Sequence, residues 1–287
     1  MEFNNGIPEG LELDKGFNRI FDFIENTNEC AFITGKAGTG KSTLLQCARA
    51  KTAKKIAVLA PTGIAALNVG GQTIHSFFGF PWHLIEKADI RKRPKKSDLF
   101  RNLDTLIIDE VSMVRADLMN GIEYALRVNM DNDIPFGGIQ TIFFGDMRQL
   151  PPVVKEKELN QYFEPKYGGC YFFNANVFNK IKPKYFELTK IYRQTDKNFL
   201  ELLNRVRCNE VTQEDLELLN QRVDIAAGED RLNPHLILTP TNRLAGGINE
   251  RRLAELDAKE YTYQAIIKGE FPRDAYPTAY HLKLKKG

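Results

Sequence analysis

Residues 35–42 read Gly35-Lys36-Ala37-Gly38-Thr39-Gly40-Lys41-Ser42, and few stretches of eight residues restrict a fold so tightly. The glycines permit a tight turn whose backbone amides face inward at phosphate oxygens, and such a turn works only between a strand and a helix. Both flanks are present: an apolar run at 31–34 precedes the loop, and 42–50 is a good helix former. The N-terminus of that helix adds a favourable dipole for an anion. The nucleotide-contacting set is therefore Gly35, Ala37, Gly38, Thr39, Gly40, Lys41, Ser42 and Thr43. Lys41 reaches the β/γ-phosphates and the Ser42 hydroxyl ligates Mg²⁺. A chance glycine-rich turn would need neither flank.

Four more short apolar runs, at 56–60, 106–109, 141–145 and 185–188, alternate with helical patterns. That alternation predicts an α/β fold, a P-loop NTPase parallel sheet with helices on both faces. The first four strands each run into a polar or glycine-containing motif, at the end of the sheet where open α/β folds bind ligands. The length, 287 residues, suits one large domain or two modest ones. After Arg193 the texture changes: 198–207, 213–222 and 244–256 read as helices, 236–238 as a short strand, and 282–287 alternates like a strand. We expect a first domain over 1–195 and the beginning of a second, incomplete α/β unit over 196–287.

Hydrophobic residues make up 43% and charged residues 27% of the chain, which excludes disordered, coiled-coil and collagen-like classes. No apolar run approaches the ~18 residues of a membrane helix, and the first residues lack a signal-peptide pattern. Cys30, Cys47, Cys170 and Cys208 are too scattered for a zinc site or a disulfide framework. A soluble, intracellular protein with no membrane partner is expected. Net charge is only +3, but residues 87–101 hold seven basic residues and two aspartates, a local +5. Such a block attracts phosphate backbones or forms a solvated loop.

The strand at 106–109 ends in Asp109-Glu110. Asp109 is placed to hold Mg²⁺ and Glu110 to orient and deprotonate an attacking water, although two such acids also make a helix N-cap. The strand at 141–145 leads into Asp146-Met-Arg-Gln149-Leu-Pro-Pro. Gln149 is either a sensor of the γ-phosphate or a turn residue. Arg193 follows the fifth strand, where it either stabilises charge on a transferring phosphoryl group or lies on the surface. Pro61-Thr62-Gly63 follows the second strand and suits a phosphodiester at a helix start. His75, Phe77, Phe78, Phe80 and Trp82 offer rings for base stacking; His75 and Phe77 are the chosen contacts, against a core role for the phenylalanines. Thr239-Pro-Thr241-Asn242 repeats the Pro61–Gly63 arrangement, which suggests two equivalent contacts, one of them at Thr241 and Asn242, along one nucleic-acid strand.

In this order the motifs resemble those of the Pif (petite integration frequency) group of superfamily-one helicases. The phosphate loop, Ala60-Pro-Thr-Gly-Ile-Ala-Ala, Ile108-Asp-Glu-Val-Ser-Met, Gly145-Asp-Met-Arg-Gln-Leu-Pro-Pro and Leu188-Thr-Lys-Ile-Tyr-Arg193 are similar to that group's motif blocks from the first through the fourth. Pro135-Phe-Gly-Gly-Ile-Gln140, with a helix at 117–127, resembles its signature segment. The resemblance covers roughly residues 11 to 256. It implies two RecA-like domains with ATP between them and single-stranded DNA across the top. It also implies 5′-to-3′ movement and unwinding of forked duplexes and G-quadruplexes. Two features depart from the pattern. Residues 11–20 lack the glutamine that reads adenine in members, and the later blocks Ser-x-Gln-Gly-x-Thr and Ala-Leu-Ser-Arg are absent. A truncated motor is expected.

The reading is an ATP-dependent DNA helicase, monomeric, using ATP and Mg²⁺ and binding single-stranded DNA and its junctions with duplex. Lys41, Glu110, Gln149 and Arg193 are its catalytic residues, with Ser42 and Asp109 at the metal. Two alternatives stay open: a nucleotide- and DNA-binding module with little hydrolysis, and a different P-loop enzyme such as a small-molecule kinase.

Overall fold

The computed structural model describes residues 3–4, 7–8, 15–192, 196–223, 236–267 and 278–286. Five strands coincide with the apolar runs of the sequence: β1 (Ala31–Gly35), β2 (Ile56–Ala60), β4 (Thr105–Ile108), β5 (Gln140–Phe144) and β6 (Lys184–Leu188). A two-residue β3 (Gln72–Thr73) adds an edge. All pair in parallel, in the order β3-β2-β4-β5-β1-β6. Central parallel strands are covered on both faces and so read as unbroken apolar runs. In β5 and β4 every residue is buried.

Strand periodicity divides these side chains between two cores. Ala31, Ile33, Val58, Ile107, Ile142 and Phe144 point to one face. There they meet Phe17, Ile20 and Ile24 of α1 (Lys15–Asn26) and Leu44, Leu45 and Ala48 of α2 (Lys41–Lys51). Leu59, Leu106, Ile108 and Phe143 point to the other. They pack against α4 (Ile74–Phe78), α5 (Ser97–Arg101) and α6 (Ala116–Met130), through Phe77, Phe100, Leu118, Ile122 and Leu126. Helix α1 is not among the expected elements, although Phe17, Ile20 and Ile24 have helical spacing.

Register aligns the ends that matter. Ile33 pairs with Phe144 and Gly35 with Leu188, while Ile108 pairs with Phe143. Gly35, Asp109, Asp146 and the segment after Leu188 therefore emerge together at the C-terminal edge of the sheet. The signature segment lies at the opposite edge. Gln140, buried at the start of β5, accepts from Lys54 Nζ (3.0 Å) and Thr105 Oγ1 (2.8 Å), and donates to the Glu29 carbonyl (3.1 Å). Phe136 is fully buried, and Gly137 has a φ of 65° where a Cβ would meet Leu126 O at 2.9 Å. This segment braces the fold away from the site.

By compactness the chain divides into residues 1–210 and 211–287. Helix α7 (Lys197–Cys208), which the sequence placed after the boundary, belongs to the first unit. The reason is Leu202, fully buried, and Arg207, ion-paired to Asp146. The second unit contains α8 (Gln213–Asn220), α9 (Asn242–Glu255) and an antiparallel pair, β7 (Glu260–Gln264) with β8 (His281–Lys285). The expected strand at 236–238 forms no ladder, and the strand expected at 282–287 is found as β8 over His281–Lys285, paired antiparallel to β7. Among the described residues no helix is long and apolar enough to cross a membrane.

Candidate active site

The loop after β1 is held by its own chemistry. Gly35 lies so close to β6 that a Cβ would fall 2.6 Å from the Leu188 carbonyl and 2.6 Å from Thr39 Oγ1. Gly38 and Gly40 take φ of 80° and 85°, the left-handed region where a side chain is strained. Buried Thr39 closes the turn through its hydroxyl, which donates to the Lys36 carbonyl at 2.8 Å. Gly40 caps α2 and offers no side-chain oxygen to the first turn, so those amides keep their affinity for an anion. Lys41 Nζ folds back to the Gly35 and Lys36 carbonyls at 2.6 and 3.2 Å.

A cleft of about 420 Å³ opens here, lined by the loop, Glu110, Gln149 and Tyr192. Burial pulls the Lys41 ammonium below the usual lysine range, while the charges of Asp146, Glu110 and Asp109 oppose the shift. Asp109 is 6% exposed. Burial pushes its carboxyl up to about 6; the Glu110 charge adds to the rise, and the Glu110 amide and Lys41 resist it. Glu110 has φ 49° and ψ 42°, left-handed for a residue with a Cβ. Backbone strain of about 1–3 kcal/mol persists where the surroundings enforce it, and it gathers at functional sites. Here it turns the Glu110 side chain into the cleft.

Gln149 is exposed to the cleft and donates through Nε2 to Asp146 Oδ2 at 3.1 Å. Lys41, Ser42, Glu110 and Gln149 thus meet in one place, with Asp109 beside them. Arg193 lies outside the described residues. Its neighbour Tyr192, which sequence reasoning missed, lines the cleft and donates its amide to the Gly38 carbonyl at 2.8 Å. Only its adjacency to Arg193 pointed to it.

The nucleic-acid residues fare unevenly. Pro61 precedes Thr62, which caps α3 (Gly63–Asn68) by accepting the Ala65 amide at 3.2 Å. In the second unit Thr241 caps α9, whose first residue is Asn242, by accepting the Leu244 amide at 3.4 Å. The two threonines therefore share a local geometry. Capping uses the oxygen as acceptor and leaves each O–H free to donate. Phe77 is not available to nucleic acid, contrary to the expectation: it is 4% exposed and packed edge-on against Phe78 and Phe100, so its ring is core. Phe78 and Phe80 are buried as well. The exposed ring is Trp82, 44% exposed and stacked on His75 with centroids 4.4 Å apart and planes 7° from parallel. Burial, aided by the Arg115 charge, pushes His75 down to about 4, so it is neutral near pH 7.

The basic block is partly spent within the fold. Lys92 pairs with Asp131, Arg93 donates to the Gly79 carbonyl, and Lys96 donates to the Phe77 carbonyl.

A six-stranded parallel sheet with this loop, these acids and this glutamine at its C-terminal edge defines a RecA-like P-loop fold of the helicase type. The chain belongs to the PIF1-like helicase family, whose model matches residues 12–217. The human ATP-dependent DNA helicase PIF1 is 36% identical over 239 residues, which cover 82% of this chain and 36% of the human protein. The ATP-dependent DNA helicase PIF7 of Trypanosoma brucei brucei is 33% identical over 308 residues, covering 93% of this chain and 30% of that protein. The crystal structure of Bacteroides Pif1 bound to ssDNA superposes with a TM-score of 0.84 at 38% identity, covering 96% of this chain and 64% of that one. A Bacteroides Pif1 complex with ADP-AlF3 and ssDNA matches equally well, at 0.84 and 38%. The chain thus spans about a third of the length of these curated relatives.

Proposed function

We propose that this chain is the nucleotide-hydrolysing part of an ATP-dependent DNA helicase that moves along single-stranded DNA in the 5′-to-3′ direction. The observation that carries the reading is the convergence of Lys41, Glu110 and Gln149 on one cleft beside buried Asp109. The glycine-framed amides and Lys41 hold the phosphates, and Lys41 exchanges its two carbonyl partners for phosphate oxygens. Glu110, turned inward by its left-handed backbone, accepts the proton of the attacking water. Gln149 hydrogen-bonds the γ-phosphate or that water. Arg193 supplies positive charge to the transferring group.

Ser42 and Asp109 are the residues that would hold Mg²⁺. An all-oxygen donor set suits that ion, and Asp109 is a carboxylate that burial, with the Glu110 charge beside it, makes costly to ionise without a cation. When bound, the ion screens the phosphate charges. DNA contacts fall to Thr62 and Gly63 in the first unit, Thr241 and Asn242 in the second, and the neutral His75 with Trp82 stacked on it. The relatives' names and the ssDNA-bound neighbours support this assignment. Monomeric action, a second RecA-like domain beginning within 196–287, and unwinding of forked or G-quadruplex DNA belong to the same proposal.

The test is steady-state ATPase with and without single-stranded DNA, beside Lys41→Ala and Glu110→Gln. Stimulation by DNA that vanishes in both variants, with nucleotide binding kept in Glu110→Gln, supports the reading. Hydrolysis at the parent rate in Glu110→Gln refutes the assignment of the base. Tight binding of nucleotide and DNA without turnover would assign hydrolysis to a longer chain.

A further inference from the structure

Asp146 is 1% exposed, yet its carboxylate is fully engaged. Arg207, sixty-one positions later on α7, closes on it with both arms of the guanidinium: Nε donates to Oδ2 at 3.0 Å and Nη2 to Oδ1 at 2.7 Å. The same two oxygens accept the Arg148 amide at 3.1 Å and Gln149 Nε2 at 3.1 Å. Gln149 has no other side-chain anchor among the described residues, and it reaches the nucleotide cleft from this one.

We propose that Arg207 is a positioning residue: by fixing both oxygens of Asp146 in a forked pair, it sets the Gln149 carboxamide at the place where a γ-phosphate arrives. The inference rests on the nucleotide site proposed above. A planar fork fixes a carboxylate's rotation as well as its charge, which a lysine cannot do. The pair also has an electrostatic use. Asp146 heads the carboxylates acting on the Lys41 ammonium, and the Arg207 charge acts on it in the opposite sense. Without Arg207, Asp146 becomes a buried anion whose charge acts unopposed on Lys41, the group that the phosphates need. Despite burial, Arg207 with the Arg148 and Gln149 donors holds the Asp146 carboxyl below the usual range, so it is ionised whenever the protein works.

The experiment compares binding of a fluorescent non-hydrolysable ATP analogue with that of fluorescent ADP, both with Mg²⁺, to the full chain. The proteins are the parent, Gln149→Ala, Arg207→Ala, Arg207→Lys and the double Gln149→Ala/Arg207→Ala. Loss of one hydrogen bond to a charged phosphate is worth about tenfold or more in affinity. We expect Arg207→Ala and Gln149→Ala each to lower the preference for the triphosphate by about tenfold, and the double to lower it no further. Arg207→Lys, which keeps the charge and the folded helix, should lose a comparable part of that preference. It carries the test if thermal melting shows Arg207→Ala unfolded. A preference in the arginine variants equal to the parent's, or losses that multiply in the double, overturns the proposal, because a merely structural brace acts independently of Gln149. A parent that binds both nucleotides alike overturns it too. A parent that binds neither overturns the nucleotide site itself and the inference with it.

Discussion

His75 makes the acid stability of the first unit calculable. Its ring is stacked under Trp82, its Nδ1 is buried without a hydrogen-bond partner, and the charged groups that act on it are Arg115 and Asp117. Arg115 forms a forked pair with Asp117, which is completely buried, so the aspartate's charge is largely spent. Burial and then Arg115 push the imidazole from 6.5 down to about 4. Folding therefore favours the neutral ring. Between about pH 6.5 and 4 the unfolded chain binds a proton that the folded chain refuses, so stability falls as the solution is acidified. At ~1.36 kcal/mol per pKa unit the full loss is about 3 kcal/mol, of which about 2 kcal/mol is reached at pH 5. His75→Gln removes the titration. The chain has a single tryptophan, and it lies on His75, so Trp82 fluorescence in urea reports the first unit alone. Between pH 7.5 and 5 the parent should lose about 2 kcal/mol more than His75→Gln, with equal m-values. Equal losses in the two proteins would show that the ring is protonated in the folded state, and the burial argument would fail.

Gln140→Leu should destabilise the first unit by about 2–4 kcal/mol in the same assay, because the Lys54 ammonium, Thr105 hydroxyl and Glu29 carbonyl lose a shared partner. It should leave the affinity for nucleotide unchanged. In the basic block, Arg91→Ala/Arg101→Ala should lower the slope of log affinity for single-stranded DNA against log salt by about 0.7 for every phosphate that goes unneutralised. An unchanged slope assigns the block to a solvated loop. Gly40→Ala should cost about 1–2 kcal/mol of stability and weaken nucleotide binding at least tenfold, since its φ is 85° and a Cβ would fall 2.9 Å from the Phe17 ring. Thermal melting and equilibrium titration check both effects.

What could be read from the sequence is what backbone geometry demands locally. Gly38 and Gly40 announce their own positive φ, and the buried runs of β1, β2, β4 and β5 announce strands because both faces need apolar cover. The convergence of Asp109, Gln149 and the loop followed from their shared place at strand ends. The partner of Asp146 did not, because nothing local distinguishes Arg207 from the other basic residues of its helix. Phe77 and Trp82 lie within one aromatic stretch, and composition cannot say which ring the sheet will cover. The β7–β8 pair escaped for another reason: β7, Glu260–Gln264, is exposed along its whole length and lacks a buried face. There the pairing, rather than a pattern of burial, makes the strand.

The strand order also fixes when the site can exist during synthesis. β1 leaves the ribosome before both of its hydrogen-bond partners, β5 and β6, with Ala31 set against Ile142 and Lys184. At about 5–20 residues per second, the first of these partners arrives roughly 5–20 seconds after β1. Until then Ile33 and Phe32 stand on an unpaired edge, and the phosphate loop has neither the Leu188 carbonyl beside Gly35 nor Tyr192 against Gly38. A nascent chain of this design is thus exposed to mispairing at this edge over that interval, and the phosphate loop has its full set of backbone neighbours only once β6 docks.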